Sequence, residues 1–278
     1  TMYQMIAFDM DGTLLDSRKQ IRRESREAIA RACLAGKTVV LNTGRCMAEL
    51  EEYFSLLPGV RYVNSVSGAL VYDLQEKRVL SSQLLDVEKV TQILRLAETE
   101  QAMPHIMLQE SMIQKSHWEQ MECFGMAVYK EMFARVAVQW DDLAAAYAKA
   151  PFPAAKVNIY HRSPASMRRT RKRLEEMALD VTVAEAERTS LEMTERGVDK
   201  GAGLENLCRM LGLPLAQVIV VGDADNDLGS LQKAGLAVAM GNANEAVRAA
   251  ADVIVADCDH GGCVEAIEKY LLNMDAEV

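Results

Sequence analysis

The sequence predicts an α/β protein: a doubly wound, mostly parallel sheet into which a second α/β unit is inserted. Three observations carry this prediction. Short β-branched runs end in small polar clusters, amphipathic helical stripes separate them, and the pattern changes over about a hundred residues in the middle of the chain. With 278 residues, half of them apolar, there is enough material for one large domain or two moderate ones.

The elements follow in order. Tyr3 to Phe8 runs into Asp9, Thr38 to Leu41 into Asn42-Thr43-Gly44, and Val218 to Val221 into Gly222-Asp223. Each reads as a buried strand. Ile21, Ala28, Ile29, Ala32 and Ala35 form a helical stripe stopped by Gly36, and Leu204, Leu207, Cys208 and Leu211 form another before Gly212 and Pro214. Leu236 to Ala239 and Val253 to Val255 are further strands. In doubly wound sheets ligands bind beyond the carboxyl ends of the strands, which is where Asp9, Thr43 and Asp223 fall.

Between about Leu84 and Glu187 the pattern differs. Val87 to Ala97 and Ser166 to Met177 read as helices, and Lys156 to Tyr160 and Val181 to Ala184 as strands. The expected division is a core from residues 1–83 and 189–278, with residues 84–188 inserted.

Composition narrows the function. Net charge is −9, from 40 acids against 31 basic residues, so no basic nucleic-acid face is expected. The run Arg168, Arg169, Arg171, Lys172 and Arg173 reads as the solvated side of a helix that buries Leu174 and Met177. Six cysteines lack CxxC spacing and read as free thiols. No run of about 18 apolar residues appears, and Asp9, Asp11 and Asp16 interrupt the start, which argues for a cytoplasmic protein without a membrane partner. The histidines His105, His117, His161 and His260 show no ligand spacing and read as structural or surface groups. The Met-rich stretch from Met103 to Met132 reads as core filling, with Trp118 and Tyr129 as possible stacking groups for a substrate ring.

Chemistry is concentrated in four places. Asp9-Met10-Asp11-Gly12-Thr13 sets two carboxylates one residue apart at a strand end, crowding that a divalent cation relieves; Mg²⁺ favours a few carboxylates and a substrate phosphate. Gly222-Asp223-Ala224-Asp225-Asn226-Asp227 is a second acidic cluster, suited to metal ligation or a solvated loop. Thr43, before Gly44, offers a hydroxyl to a phosphate oxygen or caps a helix. Lys200, between glycines at 197 and 201, can place a positive charge against a phosphoryl group.

In this order DMDGT, the Thr of NTGR, the Lys of GVDKG and GDADND resemble the haloacid dehalogenase-like phosphatases, and the insert's position resembles the α/β cap of their Cof-type (type IIB cap) branch. The resemblance implies a Rossmann-like core with that cap, and a Mg²⁺-dependent phosphatase working through an aspartyl-phosphate. It makes Asp9 the nucleophile and a metal ligand, and Asp11 the acid and base, ligating by its carbonyl. Asp223 completes the metal ligands; Thr43, Lys200 and Asn226 hold the phosphoryl oxygens, with Asp227 and Gly44 in support. Substrates should be small phosphate esters, sugar phosphates first, for a monomer or weak homo-oligomer. Ser67 before Gly68-Ala69, Ser230 and Gly262-Cys263 depart from the usual pattern. A phosphomutase on the same scaffold and a phospho-acceptor signalling domain are the alternatives.

Overall fold

Fourteen strands appear among residues 2–274, which the computed structural model describes. They are β1 Met5–Phe8, β2 Thr38–Asn42, β3 Tyr62–Ser65, β4 Leu70–Asp73, β5 Arg78–Ser82, β6 Met103–Met107, β7 Ser111–Gln114, β8 Ala137–Trp140, β9 Lys156–Tyr160, β10 Val181–Ala186, β11 Ser190–Glu195, β12 Val218–Gly222, β13 Leu236–Ala239 and β14 Val253–Ile254. They form an eight-stranded sheet, in the order β14-β13-β12-β1-β2-β3-β4-β5, and a six-stranded sheet, in the order β10-β11-β9-β6-β7-β8.

In the first sheet β14 through β3 are parallel, and only the β3–β4 hairpin is antiparallel among the registered pairs. Every residue of β1 and β12 is buried, as expected for strands covered on both faces. Met5, Ala7, Val40, Val218 and Val220 share one face with Leu204, Leu207 and Cys208 of the helix Lys200–Leu211. That helix starts at the cap Asp199, whose Oδ1 accepts from Ala202 N at 2.7 Å, and stops at Gly212 with φ +64°.

The second sheet is mostly antiparallel, with β7–β8 parallel. Alternation sends Ile106, Val157, Ile159, Leu191 and Met193 to one face, against the apolar sides of the helices Val87–Thr99, Leu143–Lys149 and Pro164–Glu176. Lys156, Asn158, Tyr160, Ser190, Glu192 and His105 therefore occupy the other face. Part of that face is covered by Met121, Phe124, Met126, Met132 and Phe133. The methionines are core filling. Trp118 packs on the same cluster with its Nε1 donating to the Lys130 carbonyl at 2.9 Å, and Tyr129 gives its hydroxyl to Glu187.

The chain separates into two compact units, one of residues 1–44, 51–81 and 199–278, the other of 45–50 and 82–198. These bounds differ from the division 1–83, 84–188 and 189–278 at three places, the smallest being residues 82–83, which fall in the second unit. β11 extends the second unit to Val198 because it forms a hairpin with β10 and pairs on its other edge with β9. Arg45–Leu50 joins the second unit: Ala48 N donates to the Gln109 carbonyl, and Glu49 Oε1 lies 3.6 Å from His105 Nε2. The basic run behaves as a paired, solvated face, with Arg169 and Arg173 on Glu100 and Arg171 on Glu185. Of the two residues expected on its buried side, Leu174 is buried, whereas Met177, at the cap past the helix end at Glu176, is 43% exposed. The six cysteines are free thiols.

Candidate active site

Adjacent strands β12, β1 and β2 deliver Asp223, Asp9 and Thr43 side by side at their carboxyl ends. The Asp9 N–H continues the ladder by donating to the Val221 carbonyl at 3.1 Å, and the Thr43 N–H donates to the Asn64 carbonyl at 2.9 Å. The turn after Asp9 needs Gly12: its φ is +77°, and a Cβ there would stand 2.3 Å from Asp223 Oδ2. Gly222 is likewise the only residue type that fits, since a Cβ would lie 2.5 Å from Asp227 Cγ. Thr13 Oγ1 donates to Asp223 Oδ1 at 2.8 Å, so its hydroxyl orients a carboxylate.

Lys200 is the centre of the charge arrangement. Its Nζ donates to Asp9 Oδ1 at 2.7 Å, Asp227 Oδ1 at 2.8 Å and Asn226 Oδ1 at 3.4 Å. Asp227 turns its other oxygen to the Asp223 and Ala224 amides at 2.9 and 3.1 Å. Lys200 and Asp227 are almost fully buried, at 1% and 0% exposure. Burial disfavours the Lys200 charge, but the two carboxylates outweigh it and hold the ammonium above its ordinary range.

The acids are under the opposite pressure. Burial, then the Asp227 charge, push Asp9 well above the carboxylate range despite Lys200. Burial and Asp227 raise Asp223 to about 6, against the Thr13 hydrogen bond. Asp9, Asp223 and Asp227 each bring one carboxylate oxygen within 4.8 Å of the others. Three crowded carboxylates facing one ammonium fit a divalent cation, which would relieve the remaining repulsion. Asp227 is committed to Lys200 and two amides, leaving Asp9 and Asp223 as the better carboxylate ligands. The Asp11 carboxylate lies outside this trio and accepts from Lys19 Nζ at 2.9 Å. Thr43 and Gly44 lie one and two residues past β2, with Thr43 buried.

Sequence reasoning did not find Asn42 and Asn64. Both are fully buried and hydrogen-bonded to one another at 2.7 Å. The available signal was an Asn at or near the end of each of two short, buried strands.

A doubly wound sheet that gathers carboxylates, a buried lysine and a threonine at its carboxyl edge defines a phosphoryl-transfer type of site. The sequence model of the haloacid dehalogenase-like hydrolases matches residues 6–267. The chain belongs to that family, in its Cof-type branch, and is an enzyme. It is 28% identical to the phosphatase YwpJ of Bacillus subtilis, over 97% of this chain and 100% of that protein. It is 26% identical to the pyridoxal phosphate phosphatase YbhA of Escherichia coli, over 97% and 99%. A solved haloacid dehalogenase-like hydrolase from B. subtilis superposes with a TM-score of 0.84 at 27% identity, over 95% of this chain and 99% of that one.

Proposed function

We propose that this phosphatase cleaves small phosphate monoesters, sugar phosphates first, with Asp9 as nucleophile and Mg²⁺ as its cofactor. One observation carries the reading: Lys200 joins Asp9 to Asp227 in a buried site, beside Asp223 and at the strand edge that also bears Thr43. Asp9 and Asp223, with the Asp11 carbonyl, would hold the cation, which when bound offsets negative charge on the phosphoryl group.

The chain's own groups then divide the work. An Asp9 carboxylate oxygen attacks phosphorus in line as the ester oxygen leaves with the bonding pair, and Asp11 gives that oxygen its proton. This leaves an aspartyl-phosphate on Asp9. Asp11, now a carboxylate, takes a proton from water as the water oxygen attacks phosphorus, releasing phosphate and restoring Asp9. Lys200, Thr43 and Asn226 orient and stabilise the phosphoryl oxygens. The six free thiols support a reducing, cytoplasmic setting.

The test is phosphate release from a panel of phosphate esters with and without Mg²⁺, comparing the native chain with Asp9→Asn. Release should require Mg²⁺ and fall at least about 10⁴-fold in the variant. Unchanged release in Asp9→Asn would sink the nucleophile assignment. Transfer of the phosphoryl group to a second sugar instead of water would indicate a mutase.

A further inference from the structure

Lys200 is gripped at both ends, and the grips belong to one closed ring of buried hydrogen bonds. Its ammonium donates to the Asp227 carboxylate at 2.8 Å. The Asp227 carbonyl accepts from Ser230 Oγ at 3.0 Å, and Ser230 Oγ accepts from Asn42 Nδ2 at 3.2 Å. Asn42 Oδ1 accepts from Asn64 Nδ2 at 2.7 Å, and the same Nδ2 donates to the Lys200 carbonyl at 2.8 Å, closing the ring.

We propose that Asn42, Asn64 and Ser230 are positioning residues that hold the Lys200 ammonium in register with Thr43 for the phosphoryl group. The proposal rests on the phosphatase reading above. Asn42, Asn64 and Ser230 have no exposed surface, and a core selected for stability alone would hold apolar side chains there. Asn64 is the hub. Its backbone carbonyl accepts from the Thr43 N–H while its side chain reaches Lys200, so one residue ties both phosphate-binding groups together.

Two structural costs accompany this arrangement. Asn64 Oδ1 is buried without a hydrogen-bond partner, and turning the amide over would instead face that oxygen to two acceptors, Asn42 Oδ1 and the Lys200 carbonyl. Directly after β3, Val66 and Ser67 adopt φ of +50° and +56°. This strained conformation, rare for a β-branched residue, lets the Ser67 N–H donate to the Thr43 carbonyl at 3.0 Å. Thr43 is thereby held at its N–H by Asn64 and at its carbonyl by Ser67. Ser230 is the ring's hydroxyl link.

The experiment compares Ser230→Ala, Asn64→Ala, the double variant and Ser230→Thr in the full chain. Each alanine should lower kcat about 10-fold with KM within about twofold, because a misplaced ammonium matters most in the transition state. Inhibition by orthovanadate, a mimic of the transferring group, should weaken in step with kcat, while inhibition by inorganic phosphate stays within about twofold. The double variant should lose much less than the product of the single losses, since either change opens the same ring. Ser230→Thr retains the hydroxyl and should restore most of kcat. Folded Ser230→Ala with unchanged kcat, multiplicative losses, or equal losses of phosphate and vanadate binding would overturn the proposal and leave the phosphatase reading intact. Should Asn64→Ala fail to fold, the Ser230 pair, which removes a single oxygen and restores it, decides alone. An inactive native chain would overturn both readings.

Discussion

Each unit buries a cluster of polar groups, and the two clusters are built on opposite electrostatic terms. In the first unit Asp9, Asp223 and Asp227 crowd around Lys200, and burial holds Asp9 and Asp223 above the carboxylate range. In the second, His105 is neutral. Its Nδ1 pairs with the Tyr160 hydroxyl at 2.8 Å and its Nε2 with Ser111 Oγ at 2.5 Å. Burial, with Lys156 nearby, lowers its pKa to about 3. On the same sheet face Lys156 pairs with Glu192 at 3.3 Å, one charge against one. Excess like charge is a poor way to stabilise a fold and a good way to attract a cation; a neutral, doubly bonded imidazole is the reverse. The first cluster has the electrostatic terms of a cation site and the second those of a structural link.

The two clusters should answer acid in opposite directions. Folded His105 refuses a proton down to about pH 3, whereas the unfolded chain accepts it near its ordinary 6.5. The stability it contributes is therefore present above pH 6.5 and lost as pH falls toward 3, by about 5 kcal/mol at about 1.4 kcal/mol per unit. Both tryptophans, Trp118 and Trp140, lie in the second unit, so their fluorescence during urea unfolding reads this unit. His105→Gln should remove most of the acid slope. A slope that persists would break the comparison.

Lys200→Met tests the first cluster. Removing the one ammonium leaves Asp9 and Asp227 without their counter-charge, at a cost of about 3–5 kcal/mol at pH 7. The loss should shrink as pH falls, because folded Asp9, held above the carboxylate range by burial, then takes up a proton. Phosphate release should drop about 10²–10³-fold. Circular dichroism at several pH values, beside turnover, checks both. A loss of stability that grows on acidification would contradict the assignment of Lys200 as the balancing charge.

The sequence makes the first cluster far more legible than the second. Asp9, Thr43 and Asp223 are visible because each closes a short apolar run, a local signal that needs no knowledge of the partner strand. Helices such as Val87–Thr99 announce themselves in the same way, through a stripe and the cap Asp86. The His105 cluster depends on which strands pair: His105, Ser111, Tyr160 and Glu49 come from four separate segments, brought together by antiparallel register and by the return of Arg45–Leu50 to the second unit. Asn42 and Asn64 are hidden for a related reason. An Asn at a strand end reads as a turn residue, and only the β2–β3 register, with Asn42 opposite Asn64, turns the pair into an interior link. Asp11 shows the complementary limit. Its spacing from Asp9 is plain in the sequence, but its carboxylate pairs with Lys19 instead of joining the acid trio.

Asp223→Asn sharpens the comparison with the smallest perturbation. Burial first, then the Asp227 charge, raise Asp223 from an ordinary 3.8 to about 6. A raised acid contributes stability that is present below its unfolded pKa and lost as pH rises through the folded one, a window of about 4 to 6 worth about 3 kcal/mol. An amide keeps the shape and can still accept the Thr13 hydroxyl, yet carries no charge. In metal-free buffer at pH 7 the variant should therefore be more stable than the native chain by up to about 3 kcal/mol, and the gap should close by pH 4. Added Mg²⁺ should narrow the gap from the other side by stabilising the native chain alone. Urea unfolding followed by circular dichroism, with and without Mg²⁺, measures both effects. A variant no more stable than its parent at pH 7 would mean that Asp223 carries no stored repulsion, and the metal-attracting character argued for the first cluster would lose its physical basis.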